Sequence, residues 1–421
     1  GHHNTFVGFC AGTNTLGDLN DDIAGSHNVF LGSQAGFRNT TGFTNVYIGF
    51  HAGINNAEGD ANIFIGENAG FNSNNARGSI LIGNHAGTLF SGEDATYIGT
   101  FAGYNSTGLG NTFIGGDAGA YADLGADNTA VGKNAAQNGA GDRNVVIGKD
   151  AGRGSFGISS FTDNSLVGYS SGNSLTSRIN NTFVGGNSGH HTTTGSGNTF
   201  IGYNAGASFK EGFSNTFVGS NVGFSTTTGV SNLFLGTYSA YSNTTGNRNV
   251  AVGHSAGYNN STGHGNIFLG YKAGYNESGS NTLYIDNTDT DYPLIFGFID
   301  GFYVELNGDV TVAGTLTEVS DAKLKTNIEQ MTNPLEKIKQ INGVSFHWKY
   351  QASRKSAQTG SSIGFIAQDV EEVFPTLVRE DRNGLKSVNY SGMIPVLLEA
   401  IKEQQSQIEA LERRIAELEL Y

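Results

Sequence analysis

From Asn4 to Gly274 the chain repeats one pattern sixteen times: Asn, a variable residue, an aromatic, an aliphatic and Gly, then two variable residues, a small residue and Gly. The copy Asn198-Thr199-Phe200-Ile201-Gly202-Tyr203-Asn204-Ala205-Gly206 shows every position. Most copies start 16 or 17 residues apart, with longer steps after Asn4 and Asn144. A period this short predicts the stacked coils of a solenoid, each resting on its neighbours. The aliphatic position is filled in every copy, from Val7 through Ile48 and Ile201 to Leu269, and the residue before it is Phe or Tyr in eleven copies. Adjacent residues of a strand point to opposite faces, so the pattern predicts short strands that are apolar on both. One thin coil has a single inside. The second apolar face therefore calls for another body, most simply identical chains whose aromatic rows meet about a common axis, and a homotrimer is the expected assembly.

The Gly after the aliphatic residue suits a turn with positive φ or a close backbone approach. The small residue three further on (Ala52, Ala69, Ala205) marks a tight corner, and Thr-Thr-Gly or Ser-Thr-Gly turns separate the copies. The Asn that opens each copy is placed to form a side-chain ladder along the rod. At about 4.8 Å per coil, sixteen coils give a rod on the order of 75–80 Å long.

The pattern stops near Asp286. Of the 63 Gly, 54 lie before it, and charged residues rise from about 9% of the chain to about 25%. The expected fold is mainly β: a repeat β-solenoid or β-roll shaft of about sixteen coils (1–285), a β-rich neck (286–319), a small α+β domain (320–392) and a carboxy-terminal helix (393–421) forming a coiled coil. In the neck, Val304–Leu306 and Val310–Val312 alternate around Asn307-Gly308-Asp309, which predicts a hairpin. The last helix places Ile394, Ile401, Ile408 and Ile415 at one heptad position and Leu397, Gln404, Leu411 and Leu418 at the other. Ile and Leu in that order favour dimers, which runs against the trimer. Four heptads with a Gln in the seam specify oligomer state weakly, so the trimer stands as the expectation.

The repeat resembles the head of trimeric autotransporter adhesins and the repeats of phage and bacterial tail fibres. It differs in its longer period and in its Phe where those heads carry small residues. Three further motifs follow in order: Ser320-Asp321-Ala322-Lys323-Leu324-Lys325, then Gly364-Phe365-Ile366-Ala367-Gln368-Asp369 running on to Pro375, then Val388-Asn389-Tyr390. Together they resemble the intramolecular chaperone domain of endosialidase-type phage tail spikes and fibres, over roughly 317–421. That resemblance implies a domain that trimerises the chain, helps the β-rich part before it to fold, and then cuts itself off as a single-turnover serine peptidase. It implies cleavage between Val319 and Ser320, with Ser320 as nucleophile and Lys325 as its basic partner.

The chemistry is sound on its own terms, because a Ser hydroxyl becomes a nucleophile when a base removes its proton, and Lys can be that base. Residues five apart on a helix lie about 140° round it, so a helix through this stretch would turn Lys325 away from Ser320. The base would then come from a neighbouring subunit or from a non-helical turn. Ser320 or Asp321 as a simple helix cap is the plain alternative.

The net charge of −14 comes with no basic stripe, so nucleic acid is not an expected partner. No apolar run reaches the roughly 20 residues that span a bilayer, and membrane insertion is not expected. Cys10 is alone, which excludes an intramolecular disulfide. His190-His191 and the Asp286–Asp291 stretch lack the partners of a metal site and read as turns, so neither metal nor cofactor is expected. Gly1 stands almost inside a repeat, which implies sequence upstream. The expected function is a structural and adhesive fibre on a virion tail or cell surface, with a host or cell-surface glycan or protein as receptor. The alternative is a secreted surface-binding β-solenoid, of adhesin or ice-binding type, that keeps its trimerisation domain uncut.

Overall fold

The computed structural model describes residues 1–17, 22–121, 125–139, 141–155, 160–308, 310–348, 361–381 and 384–419. It divides into two compact units, Gly1–Asp309 and Val310–Tyr421.

The first unit is a β-solenoid. Each repeat contributes one three-residue strand, and the strands stack in parallel with no offset: Phe183 lies over Phe200, Phe200 over Phe217 and Phe217 over Phe234. The stack begins at Thr5–Val7 and runs through Ile267–Leu269 to a further strand, Thr282–Ile285, which lacks the full repeat signature. Two antiparallel strands, Ile295–Phe298 and Tyr303–Leu306, then complete the sheet. The predicted hairpin about residues 307–309 is replaced by this meander. Tyr303–Leu306 pairs back onto Ile295–Phe298, 310–312 forms no strand, and Asp309 lies outside the described residues. The physical reason is the open edge of the last parallel strand, whose unpaired backbone groups the meander covers.

The aromatic residue of each coil points inward. Phe30, Tyr47, Phe64, Phe113 and Phe200 are completely buried within their own chain, and their rings stack face to face at one coil spacing: 4.7 Å from Phe30 to Tyr47, 4.9 Å from Tyr47 to Phe64, 4.6 Å from Phe200 to Phe217. Aromatic rows meeting between chains are therefore ruled out as the contact. The outward row is the aliphatic one, with Ile48, Ile114 and Ile201 each more than a third exposed.

Two glycine columns shape the coil. Gly49, after the aliphatic residue, has φ 135°, and a Cβ there would sit 2.5 Å from the Gly66 carbonyl oxygen of the next coil. Gly53 has φ 59°, and a Cβ there would lie 2.7 Å from the ring of Tyr47. The first column lets coils close on each other, and the second makes room for the ring.

The opening Asn residues form the expected ladder, buried and continuous over long runs. Asn215 N–H donates to Asn198 Oδ1 (3.1 Å), its Nδ2 donates to the same oxygen (2.9 Å) and to the Gly229 carbonyl (2.8 Å). Ser79 and Ala95 take the Asn position in two coils; Ala95 N–H is met by Ser79 Oγ instead, at 3.2 Å.

Among its described residues the second unit contains three α-helices, α1 (Pro334–Ile338), α2 (Ala367–Val373) and α3 (Tyr390–Glu419), with two small antiparallel hairpins. α3 starts three residues earlier than predicted, at Tyr390, where Asn389 Oδ1 accepts the Gly392 N–H at 3.0 Å. Met393, Val396 and Ala400 of α3 are buried, and Leu335 N–H at the start of α1 donates to Glu403 Oε2 of α3 at 3.1 Å.

Candidate active site

The residues around Ser320 form a short, capped turn. Asp321 is extended (φ −67°, ψ 133°) and its Oδ1 accepts the Lys323 N–H at 2.8 Å. That cap starts a single 3-10 turn, Ala322–Leu324, after which Lys325 is again extended and its N–H returns to the Ala322 carbonyl. A turn of three residues followed by an extended one brings position five back toward its start. Lys325 Nζ lies 2.5 Å from Ser320 Oγ. The non-helical turn, not a helix, is what forms, and within one chain it joins the two side chains that sequence reading paired. Asp321 takes the capping role and leaves Ser320 free of it.

The surroundings are exposed. Val319, Leu324 and Ile328 are 84%, 75% and 70% accessible. A lysine becomes a base by losing its proton, and burial is the usual force behind that loss. The single chain thus holds hydroxyl and amine in contact but does not exclude water from them.

The second and third motifs meet each other. The hydroxyl of Tyr390 accepts the Phe365 N–H at 3.1 Å, and the two rings stack at 5.7 Å. Gly364 leaves room for them, since a Cβ there would sit 2.6 Å from the Tyr390 hydroxyl. Lys386 pairs with Glu371 of α2, which draws the Lys386 pKa upward. These contacts tie α2, the hairpin after it and the start of α3 into one body.

Along α3 the heptad residues are uncovered: Ile394, Ile401, Leu411 and Leu418 are all at least 60% accessible. Across Val310–Tyr421 the large buried aliphatic side chains among the described residues are Val370, Met393 and Val396. The remaining signals resolve locally. His190 and His191 pack edge to face at 4.5 Å, and burial, then the neighbouring His191, lowers the His190 pKa. Asp286 accepts from Thr288 Oγ1 (2.6 Å) and Leu294 N–H (2.9 Å), closing its own loop. Among the described residues no three His, Cys, Asp or Glu side chains converge as metal ligands, and no helix is long and apolar enough to cross a membrane.

One feature escaped the sequence reading: a surface column of aromatic residues nine positions after the opening Asn, strongest at Phe224, Tyr241, Tyr258 and Tyr275. Its signal was the same 17-residue spacing, one side of the coil further on.

Residues 320–379 match the family described as chaperone of endosialidase, so the chain carries such a domain in its carboxy-terminal part. The match opens on Ser320. The chain is also similar to long tail fibre proteins Gp37. That of Salmonella phage S16 is 29% identical over 129 residues, 28% of this chain and 17% of the relative. That of Escherichia phage AR1 is 33% identical over 87 residues, covering 20% and 8%, and that of Enterobacteria phage K3 is 29% identical over 100 residues, covering 23% and 8%. The chain thus spans less than a fifth of the length of these relatives.

Proposed function

We propose that this chain is the shaft and assembly segment of a phage-type tail fibre, built as a homotrimer on a virion tail, whose carboxy-terminal domain aligns three chains and then releases itself by cutting between Val319 and Ser320. The observation that carries the reading is the uncovered aliphatic stripe of α3, four heptads long and without a partner surface among the described residues. At about 25 cal/mol per Å² of apolar surface, such a stripe is a strong drive to associate. The outward aliphatic row of the shaft, repeated at every coil, is the matching surface for three shafts side by side. The likeness to long tail fibre proteins and the chaperone-of-endosialidase domain support the setting.

The contact between Lys325 Nζ and Ser320 Oγ supports the cut. Trimer assembly covers Val319, Leu324 and Ile328, and in the drier site Lys325 gives up its ammonium proton. The neutral amine takes the hydroxyl proton as Ser320 Oγ attacks the Val319 carbonyl carbon. The tetrahedral intermediate collapses by breaking the C–N bond, and the Ser320 nitrogen leaves as an amine carrying the proton that Lys325 returns. Val319 is then held as an ester on Oγ. Water hydrolyses that ester to a Val319 carboxylate and a free Ser320 hydroxyl. Each chain reacts once.

Intact mass measurement of the expressed chain tests this. Wild type is expected to yield a fragment beginning at Ser320, and Ser320→Ala and Lys325→Met to yield none. The same fragment from Ser320→Ala would sink the assignment, and light scattering that shows a folded single chain would sink the trimer.

A further inference from the structure

We infer that Glu403 couples assembly to the cut: it is a positioning residue that fastens the strap carrying Ser320 and Lys325 to α3, the helix proposed to join the chains. The inference concerns the regulation of the Ser320 site and rests on the cleavage reading above. Every residue from 310 to 333 is exposed, and the first buried one after Ser320 is Pro334, which opens α1. The Ser–Lys turn therefore rides on a strap whose nearest downstream anchor is α1.

That anchor does not hold itself. Five residues are too few for a helix to persist alone. Asn333, at the capping position, has left-handed φ 51° and ψ 47° and makes no side-chain cap. The N–H of Leu335 is one of the first-turn donors that a helix leaves open. It is met from 68 positions away, by Glu403 Oε2 of α3 at 3.1 Å. α1 and α3 pack together, and the buried residues of α3 are Met393, Val396 and Ala400. Glu403 continues their spacing of three and four. The stripe that holds Ile394 and Ile401 starts one position over, about 100° round the helix, and is open. One helix thus carries two neighbouring stripes, the first covered within its own chain and ending on Glu403, the second uncovered. When the uncovered stripes of three chains meet, α1 is brought with them, and the scissile turn follows α1.

Tether length sets the size of the effect. Eight residues, 326–333, separate Lys325 from α1; with α1 loose, eighteen residues, 326–343, reach back to the strand Val344–Phe346. Local concentration at the end of a flexible tether falls as about the −3/2 power of its length, so the loose turn would reach its place in the assembly roughly threefold less often. The Leu335 N–H asks for an acceptor oxygen, which Gln supplies as well as Glu.

The test follows release of the fragment beginning at Ser320 by intact mass against time, using the full chain. Assembly is read separately, by light scattering on the uncut Ser320→Ala background. Glu403→Ala is expected to keep the assembled mass and to release the fragment at least about threefold more slowly than wild type. Glu403→Gln is expected to cut at the wild-type rate, and so is Glu417→Ala, two heptads further along the same side of α3. Hydrogen exchange at the Leu335 amide, slow in wild type and the Gln variant and fast in the Ala variant, ties the rate to the contact. An assembled Glu403→Ala that cuts as fast as wild type, or a Gln variant as slow as the Ala variant, would overturn the inference and leave the Ser–Lys reading standing. Loss of assembly in Glu403→Ala would overturn it as well, by making Glu403 part of what joins the chains. A wild-type chain that is never cut is the failure of the cleavage reading itself, and the inference falls with it.

Discussion

At the scale of single residues, the coil depends on where side chains are forbidden as much as on where they pack. Gly49→Ala sets a methyl group 2.5 Å from a backbone carbonyl that cannot move without shifting a whole coil. The expected loss is on the order of 3 kcal/mol, read as a lower denaturation midpoint, whereas Glu67→Ala on the surface of the next coil should change it little. The second glycine column is a preference: Ala136 stands there in the coil of Ala130 and Ala240 in the coil of Phe234, both still at positive φ. Buried phenols add a pH dependence. Burial pushes the Tyr97 hydroxyl up to about 12, a shift its hydrogen bond to Ser106 at 2.8 Å partly opposes, and burial raises Tyr47 as well. A pKa higher in the folded state than in the unfolded one means stability is complete below about pH 10 and falls as pH rises toward 12. Tyr97→Phe should reduce that loss by roughly 2–3 kcal/mol, and equal alkaline melting of variant and wild type would count against it. The repeat itself was plain in the sequence. Which of its two apolar faces is inside was not, because alternation distinguishes two faces without ranking them. The ranking comes from Gly53, whose missing side chain makes room for the ring.

At the scale of elements, the same contrast separates what was legible from what was not. The stretch from Ser320 to Lys325 was legible as a Ser–Lys pair, but a helical reading separates the two by most of half a turn. What brings them to 2.5 Å is Asp321, whose carboxylate caps a turn too short to become a helix. The hairpin expected about Gly308 failed because a strand chooses its partner by what is available: the edge left by Thr282–Ile285 was filled by Ile295–Phe298, and Tyr303–Leu306 then had a neighbour behind it. α3 was legible as a heptad, and its exposed stripe makes a definite claim. Ile401→Asp puts a charge into the proposed seam, where three such groups would meet without counter-ions. Light scattering should then find single chains and aggregates in place of trimers, while Ser406→Asp, on the opposite side of the helix, should assemble like wild type.

At the scale of the whole molecule, the shaft that is hardest to unfold is also easy to misassemble. Most coils bury a ring worth roughly 1.5–3 kcal/mol, and the stacked sheet leaves nothing to fray except its ends. Between chains, however, one coil is nearly as good as the next. A slip by one repeat exchanges Ile201 for Val218 and Val218 for Leu235 on the outward row, swaps that cost little each. In the proposed trimer, register must therefore be set outside the repeats, before the coils zip, and the carboxy-terminal domain is a non-repeating part that could set it. Once the shaft has closed, its barrier to unfolding no longer depends on that domain. Two experiments should then disagree. Mature shaft cut at Val319 should resist heat and denaturant as well as the uncut Ser320→Ala fibre does. After full denaturation, though, only the uncut chain should regain rods of uniform length by electron microscopy, with the chain ending at Val319 giving staggered or aggregated species. Equal refolding of the two would mean that the repeats carry their own register, and a domain kept merely to be discarded would need another reason to exist.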